Sequence, residues 1–376
     1  MLLASLLLLI GLIGSLGMLG FLNLFLSSSK NERKKESGKI SFSGLEILIP
    51  VHNDSMKMRR TIESIQSELE KSRLLKSKSR IVVGLDHCTD SSREIAQSLG
   101  VTIKDSHKGP GKWRNLMSLI KSSTSEWLML VDAGTELMPE FFTHLEPEIK
   151  SNYAAVAPGY RLKHENKSFF SLSTLKSLFW IFEKRLKNIE NSNGGPVSVH
   201  GACCIYRRED LLQALEVLDS SSSYLNDDVV IPLLVRAFSR RSKIKYMGDS
   251  LFVFDSSIDS VNAEQRKKRI LAGNLQWIVE LYPMLWKKNR LIAILALRRV
   301  FRVFWAWWLV SLVIGSLLAI VQSSIPLTLI LPLFMMLITS LFILSFIARE
   351  LYAAFLVSLQ APSYLLNRNY SKVGWR

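Results

Sequence analysis

Leu45-Glu46-Ile47-Leu48-Ile49-Pro50-Val51-His52-Asn53 is a short apolar run that stops abruptly at polar residues. It is too brief for a buried helix and rich in β-branched side chains, so it reads as a strand covered on both faces, the kind found inside parallel sheets. Outward from it, Arg80–Leu85, Val101–Ile103 and Trp127–Val131 repeat the pattern, separated by the amphipathic stretches Met56–Lys71, Ser91–Leu99 and Lys112–Ser122. Strands alternating with helices predict a doubly wound α/β domain built on a mostly parallel sheet. Ligands of such sheets bind beyond the carboxyl ends of the strands. The residues at those ends are Pro50, His52 and Asn53, then Asp86, His87 and Asp90, then Asp132.

No G-x-G-x-x-G follows the first strand and no G-x-x-x-x-G-K-[ST] occurs, which removes the dinucleotide fingerprint and the P-loop. An isolated loop aspartate is usually a turn or cap residue, and Asp90 ahead of Ser91 and Ser92 fits that reading. Three acids gathered at strand ends suggest more. Carboxylates there can hydrogen-bond a ribose or a base, or face a diphosphate through a divalent cation.

The 376-residue chain is 48% apolar, and its mean hydropathy of +0.18 with only 21% charged residues suggests that part of it sits in lipid. From Met1 to Ser29 there is no charge, and the basic cluster Lys30, Arg33, Lys34 and Lys35 follows the apolar run, which favours a transmembrane anchor over a cleaved signal peptide. Val303 to Ala348 is again uncharged and long enough for two spans with a turn near Ser323, Ser324 and Pro326. The positive-inside rule then puts the N-terminus outside, and the segment from Lys30 to Arg302 and the C-terminus in the cytoplasm. Leu281 to Phe304 mixes Trp, Leu and Ile with Lys287, Lys288, Arg290, Arg298, Arg299 and Arg302, as an interfacial amphipathic helix would, with core packing as the plainer alternative.

The net charge of +16 would suit nucleic acid or an anionic membrane. Its distribution decides: residues 30–39, 265–302 and 348–376 carry +3, +9 and +3, leaving +1 for residues 40–264. The excess flanks the apolar segments, so membrane lipid is the expected partner and nucleic acid is not. Cys88, Cys203 and Cys204 are too few for a disulfide framework and lack zinc-site spacing, so they read as small buried residues in a reducing compartment.

Further motifs follow in order: Val82-Val83-Gly84-Leu85-Asp86 with Thr89-Asp90, Gly109-Pro110-Gly111-Lys112 with Asn115, Glu126 to Thr135 with Asp132-Ala133-Gly134, Gly201-Ala202, Tyr206 to Glu209, Asn226-Asp227-Asp228, and Arg266 to Gly273. Together with Ile47 to Asn53 they make residues 45–276 resemble a family-2 glycosyltransferase of GT-A fold, of the membrane-anchored type found in bacterial polysaccharide or glycolipid synthesis. The resemblance implies a nucleotide-sugar donor of UDP type, a divalent cation (Mg²⁺ or Mn²⁺), and inverting hexosyl or N-acetylhexosaminyl transfer to a lipid-linked or growing glycan acceptor. It implies that Pro50, His52, Asn53 and Asp86 hold the uracil and ribose, with Lys112, Arg266 and Arg269 also on the donor. Asp132 would be the metal-linked acid, Asp228 the general base, and Asp227 an orienting or capping neighbour. Proton abstraction by Asp228 and neutralisation of the departing diphosphate are the two tasks such a displacement sets.

Two positions depart from the family pattern. Gly134 stands where the D-x-D motif has its second acid, which leaves metal binding to Asp132, the diphosphate and water. His87-Cys88 replaces small residues beside Asp86, and His87 reads as a surface-loop histidine. The resulting organisation is an anchor (1–29), a basic linker (30–44), a GT-A domain (45–280), an interfacial helix (281–302), two transmembrane helices (303–348) and an amphipathic tail (349–376) of a bacterial inner- or plasma-membrane protein with a cytoplasmic catalytic domain. The competing reading is a degenerate scaffold or regulator of an envelope polysaccharide complex.

Overall fold

The computed structural model describes residues 2–18, 42–106, 109–162, 183–255, 263–322 and 349–367. After helix α1 (Leu2–Met18) come strand β1 (Leu45–Val51), helices α2 (Ser55–Glu70) and α3 (Arg73–Lys76), β2 (Ser79–Leu85), α4 (Ser92–Ser98), β3 (Thr102–Asp105), α5 (Lys112–Ser122) and β4 (Trp127–Val131). Then follow β5 (Thr135–Leu137), α6 (Phe141–Ile149), β6 (Ala155–Leu162), α7 (183–192), β7 (Cys203–Arg207), α8 (Arg208–Leu215), α9 (Asp227–Phe238) and β8 (Ile244–Asp255). The chain continues through α10 (Ala263–Glu280), α11 (Tyr282–Lys288), α12 (Arg290–Val303), α13 (Trp305–Gln322), α14 (Arg349–Leu359) and α15 (Ala361–Asn367).

The strands form one sheet in the order β3-β2-β1-β4-β7-β6-β8-β5. β3, β2, β1 and β4 are parallel, as their sequences predict, and β7 then enters antiparallel to β4. Alternate residues of the central strands feed two cores. Leu48, Val82, Leu128 and Leu130 pack with α5, α8 and α9, whereas Ile47, Ile49, Val83 and Met129 pack with α2, α4 and α6. β1 is buried along its whole length, which explains its unbroken apolar reading.

Helix α5 approaches the sheet closely at Gly84. A β-carbon there would overlap the Asn115 side chain, whose Nδ2 donates to the Gly84 carbonyl at 2.8 Å. Asn115 is 1% exposed, so this bond satisfies a polar group that has no access to water and holds the start of α5 over the ends of β1 and β2.

Among the described residues one helix, α13, is long and apolar enough to cross a membrane; α1 is apolar but shorter. The two pack against each other through small residues: β-carbons at Gly11 and Gly14 would collide with Leu312 and Trp308, and one at Gly315 with Leu7 and Leu8. Backbones approach this closely where apolar helices associate by van der Waals contact. The second C-terminal span and its turn lie outside the described residues, as does most of the basic linker.

The interfacial-helix reading of 281–302 needs correction. Ile292, Ala293, Leu295 and Ala296 of α12 belong to the same core as β1 and α9. Arg298 is 2% exposed, not on a lipid-facing collar, and its guanidinium pairs with Glu190 at 2.8 Å and Glu183 at 3.0 Å, both on α7. Arg302 also pairs with Glu183. Helical charge patterning cannot tell a solvated face from one turned towards acids 108 and 115 residues earlier in the chain. Removing one member of a buried ion pair typically costs about 3–5 kcal/mol because the partners stay buried and charged. Arg298→Met is therefore expected to lower unfolding stability in detergent by roughly that amount. An unchanged denaturation midpoint would show that the network holds nothing together.

Candidate active site

The seam where parallel β4 meets antiparallel β7 assembles the acids. The Asp132 amide, just past β4, donates to the Ala202 carbonyl at 3.0 Å, which brings 132 and 201 side by side. Val199 donates its amide to the Asp228 carbonyl at 3.0 Å, and so the first turn of α9 is tied to the same segment. A β-carbon on Gly201 would lie 3.6 Å from Asp228 Cβ and 3.7 Å from Asp132 Oδ2, so the absent side chain leaves space between the two acids.

Lys112, the first residue of α5, reaches into this seam. Its Nζ lies 2.7 Å and 3.0 Å from the two Asp132 carboxylate oxygens and 3.2 Å from Asp227 Oδ2. Burial works against the ammonium charge, but Asp132 and Asp227 outweigh it and raise the Lys112 pKa above the usual lysine range. Burial, with Asp227 and Asp228 adding to it against the pull of Lys112, pushes Asp132 up to about 6. Asp228 is likewise raised, by burial and by Asp227, against the opposing charges of Arg299, Lys112 and Lys187. Its carboxylate makes no hydrogen bond or ion pair among the described residues, which leaves its lone pairs free to accept a proton.

The donor set can be tested against a divalent cation. Asp132 and Asp227 share one ammonium, so this pair carries one surplus negative charge that a cation would neutralise. Among the described residues no three acids, histidines or cysteines are placed to hold an ion by themselves. A cation here would need further oxygen ligands besides these acids, as a divalent ion that keeps only one or two carboxylates does.

The D-x-D departure has a backbone cause. Gly134 adopts φ +98°, a conformation that L side chains rarely adopt, and its amide donates to the buried Thr61 hydroxyl at 2.9 Å. The turn after β4 is built for glycine.

The remaining sequence candidates divide. His52 and Asn53 stand at the end of β1, where His52 Nδ1 lies 2.6 Å from the Asp86 carbonyl and Asn53 Oδ1 accepts from the Thr89 amide at 2.8 Å. Pro50 is buried within β1. Asp86 is fully buried, and its carboxylate accepts from the Gly111 amide at 2.8 Å and meets His87 Nδ1 at 2.9 Å. It thus positions the loop that launches Lys112. Asp90 caps backbone amides of Ser55 and Ser92. Arg266 and Arg269 lie on α10, which Gly273 lets pack tightly on Asn226, just ahead of the two acids; Arg266 is exposed and Arg269 partly so. Cys203 and Cys204 are buried strand residues with thiols pushed up by burial. Leu85, His87, Cys88, Arg93, Asp105 and Ser106 line a cavity of about 200 Å³ beside the ends of β2 and β3.

Sequence reasoning missed Lys187, Tyr160 and Arg299 as parts of this region. His200 stacks on Tyr160 with ring centroids 5.1 Å apart, and Arg299 donates to the Ser198 hydroxyl. None of these residues sits in a short motif. Only their convergence on the 198–201 segment marks them.

Residues 46–214 match the sequence profile of Glycosyl transferase family 2. No curated protein matches the sequence. Among solved structures, the mannosyltransferase from Pyrobaculum calidifontis, determined with GDP-Man and Mn²⁺, superposes with a TM-score of 0.65 at 13% identity, over 96% of this chain and 99% of its own. That likeness shows the GT-A fold. S. aureus TarS 1–349 gives 0.46 at 13% identity, over 69% and 72% of the two chains. Glucosyl-3-phosphoglycerate synthase from Mycobacterium tuberculosis gives 0.39 at 16%, over 61% and 79%.

The charge balance in the seam predicts how it responds to losing its ammonium. In Lys112→Met, Asp132 loses the ammonium that opposes burial and Asp227, and its pKa moves further up. An acid raised in the fold is penalised above its folded pKa and relieved as protons bind, so the variant should lose stability most at pH 8 and recover towards pH 5. Thermal melts across that range check it; a loss independent of pH would point to packing instead.

Proposed function

We propose that the protein is a membrane-anchored inverting glycosyltransferase that moves a hexosyl or N-acetylhexosaminyl group from a nucleotide-sugar donor to a lipid-linked or growing glycan acceptor at the cytoplasmic membrane face. The observation that carries this reading is the free, burial-raised carboxylate of Asp228 beside the Asp132–Lys112–Asp227 cluster, with the space above Gly201 between them.

In this reading the cavity beside β2 and β3 takes the base of a UDP-type nucleotide, with His52 and Asn53 near the ribose. The diphosphate comes to Lys112 and Asp132. A divalent cation bound with it, Mg²⁺ or Mn²⁺, supplies positive charge for the leaving group. Lys112 adds a fixed positive charge on the same side. Asp228 takes the proton of the acceptor hydroxyl as it attacks the anomeric carbon, and Asp227, held by Lys112, keeps the first turn of α9 in place. On this reading Arg266 and Arg269 of α10 close over the donor. α1, α13 and the segment after it form the anchor: one N-terminal and two C-terminal spans on the sequence reading, joined to the 45–280 domain through α11 and α12. A degenerate scaffold is favoured by one observation, the glycine-specific turn at Gly134 in place of the second acid.

Purified protein in detergent with Mg²⁺ or Mn²⁺, offered UDP- and GDP-sugars, is expected to bind nucleotide and to hydrolyse or transfer donor sugar; absence of both would leave the scaffold. General-base catalysis contributes about 10²–10⁴-fold, so Asp228→Asn should lower transfer by that factor while nucleotide affinity stays within a few-fold. Retained transfer removes Asp228 from the base role. Asp132 is ionised only above about 6, so cation-dependent activity should fall as pH drops below that value. Raising Mn²⁺ should shift this acid limb downward, since metal and proton compete for the same carboxylate.

A further inference from the structure

Beyond Asp228, on the side away from Lys112, α7, α12 and the 198–201 segment enclose an excess of positive charge. Among the described residues Arg298, Arg299, Arg302 and Lys187 face two acids of α7, Glu183 and Glu190, with Asp228 beyond them, so four cations meet three carboxylates. Arg298 takes both acids of α7 and Arg302 shares Glu183. Arg299 and Lys187 pair with no carboxylate among the described residues. Arg299 donates to the Ser198 hydroxyl, and its Nε is buried without a partner. Lys187 is 2% exposed, and among the described residues its Nζ makes no hydrogen bond or ion pair; it lies over the Tyr246 ring, 5.6 Å away. Burial, against the pull of Glu183, lowers Lys187 to about 8 and, with Arg298 adding to it, lowers Arg299 to about 10.

An unpaired buried cation costs several kcal/mol, and a merely structural interior would replace it with an apolar side chain. Arg299 donates to Ser198, whose neighbour Val199 donates its amide to the Asp228 carbonyl at 3.0 Å, so the guanidinium stands beside the proposed base, and Lys187 adds its charge to the same carboxylate. Phosphate fits the vacancy in charge: it brings up to two negative charges and several acceptor oxygens to a guanidinium and an ammonium. Position along the chain fits a membrane-tethered source, since Arg299 precedes the first residue of α13 by only six residues.

We propose that Lys187 and Arg299 form the seat for a phosphate group carried by the acceptor, which sets the acceptor hydroxyl against Asp228. This deepens the glycosyltransferase reading and rests on it for the word acceptor; the anion seat itself rests on the two unpaired cations.

The test uses the full chain in a neutral detergent, titrated with octyl phosphate, octanol and inorganic phosphate, and separately with UDP and GDP. Octyl phosphate is expected to bind and octanol not to. Inorganic phosphate should displace octyl phosphate: comparable affinity would identify a soluble phosphate compound as the source, and much weaker affinity a lipid. Lys187→Met and Arg299→Gln should each weaken octyl phosphate at least tenfold while nucleotide affinity stays within twofold, and Lys187→Arg should restore most of the binding. Lys187→Met should also melt at a higher temperature than the wild type at pH 7, because it removes an uncompensated buried charge. Equal binding of octanol, or variants that bind octyl phosphate like the wild type, would overturn the proposal. Phosphate binding that is lost in both variants, in a protein that binds neither nucleotide, would uphold the seat and sink the transferase reading.

Discussion

One ammonium group joins two halves of this molecule. Lys112 leaves the parallel half on α5 and finds its carboxylates on two elements that arrive later, Asp132 at the end of β4 and Asp227 at the start of α9. A buried ammonium without acids, or acids without the ammonium, would each be strongly disfavoured. The approach of α5 at Gly84, the loop held by Asp86 and the tie between Val199 and Asp228 all work towards that one juxtaposition. Because the acids outnumber the ammonium, the seam stays short of positive charge, and the site's capacity for a further cation follows from this shortfall.

Much of the fold was legible before any coordinates. Leu45–Val51 and Trp127–Val131 read as buried strands because both faces of a central parallel strand are apolar, and α5 read correctly from Lys112 to Ser122 because its buried stripe recurs at helical spacing. The acids at the strand ends were legible for a topological reason, since parallel strands all point their carboxyl ends to one edge. Their roles were less so. Asp86 reads as a ligand residue and is buried against Gly111, and Asp90 is a cap as its neighbours suggested.

Long-range charge pairing was not legible. The arginines of α12 read as a lipid-facing collar because they flank an apolar helix, yet Arg298 and Arg302 find their partners on α7. Patterning along a helix reports which residues share a face and says nothing of what that face meets. The same blindness hid Lys187, a buried ammonium that makes no ion pair among the described residues. The small-residue contact between α1 and α13 was hidden for a related reason: the glycines were visible, but only the distant approach of Trp308 and Leu312 gives them a purpose.

The turn after β4 closes one evolutionary road. Since residue 134 sits at φ +98° with its amide committed to Thr61, an aspartate substituted there would have to distort the loop before it could offer a ligand. Rebuilding the missing acid would take a coordinated change of turn, capping hydroxyl and strand end. An acidic side chain at 134 therefore carries a backbone cost that the same side chain at an ordinary turn position would not.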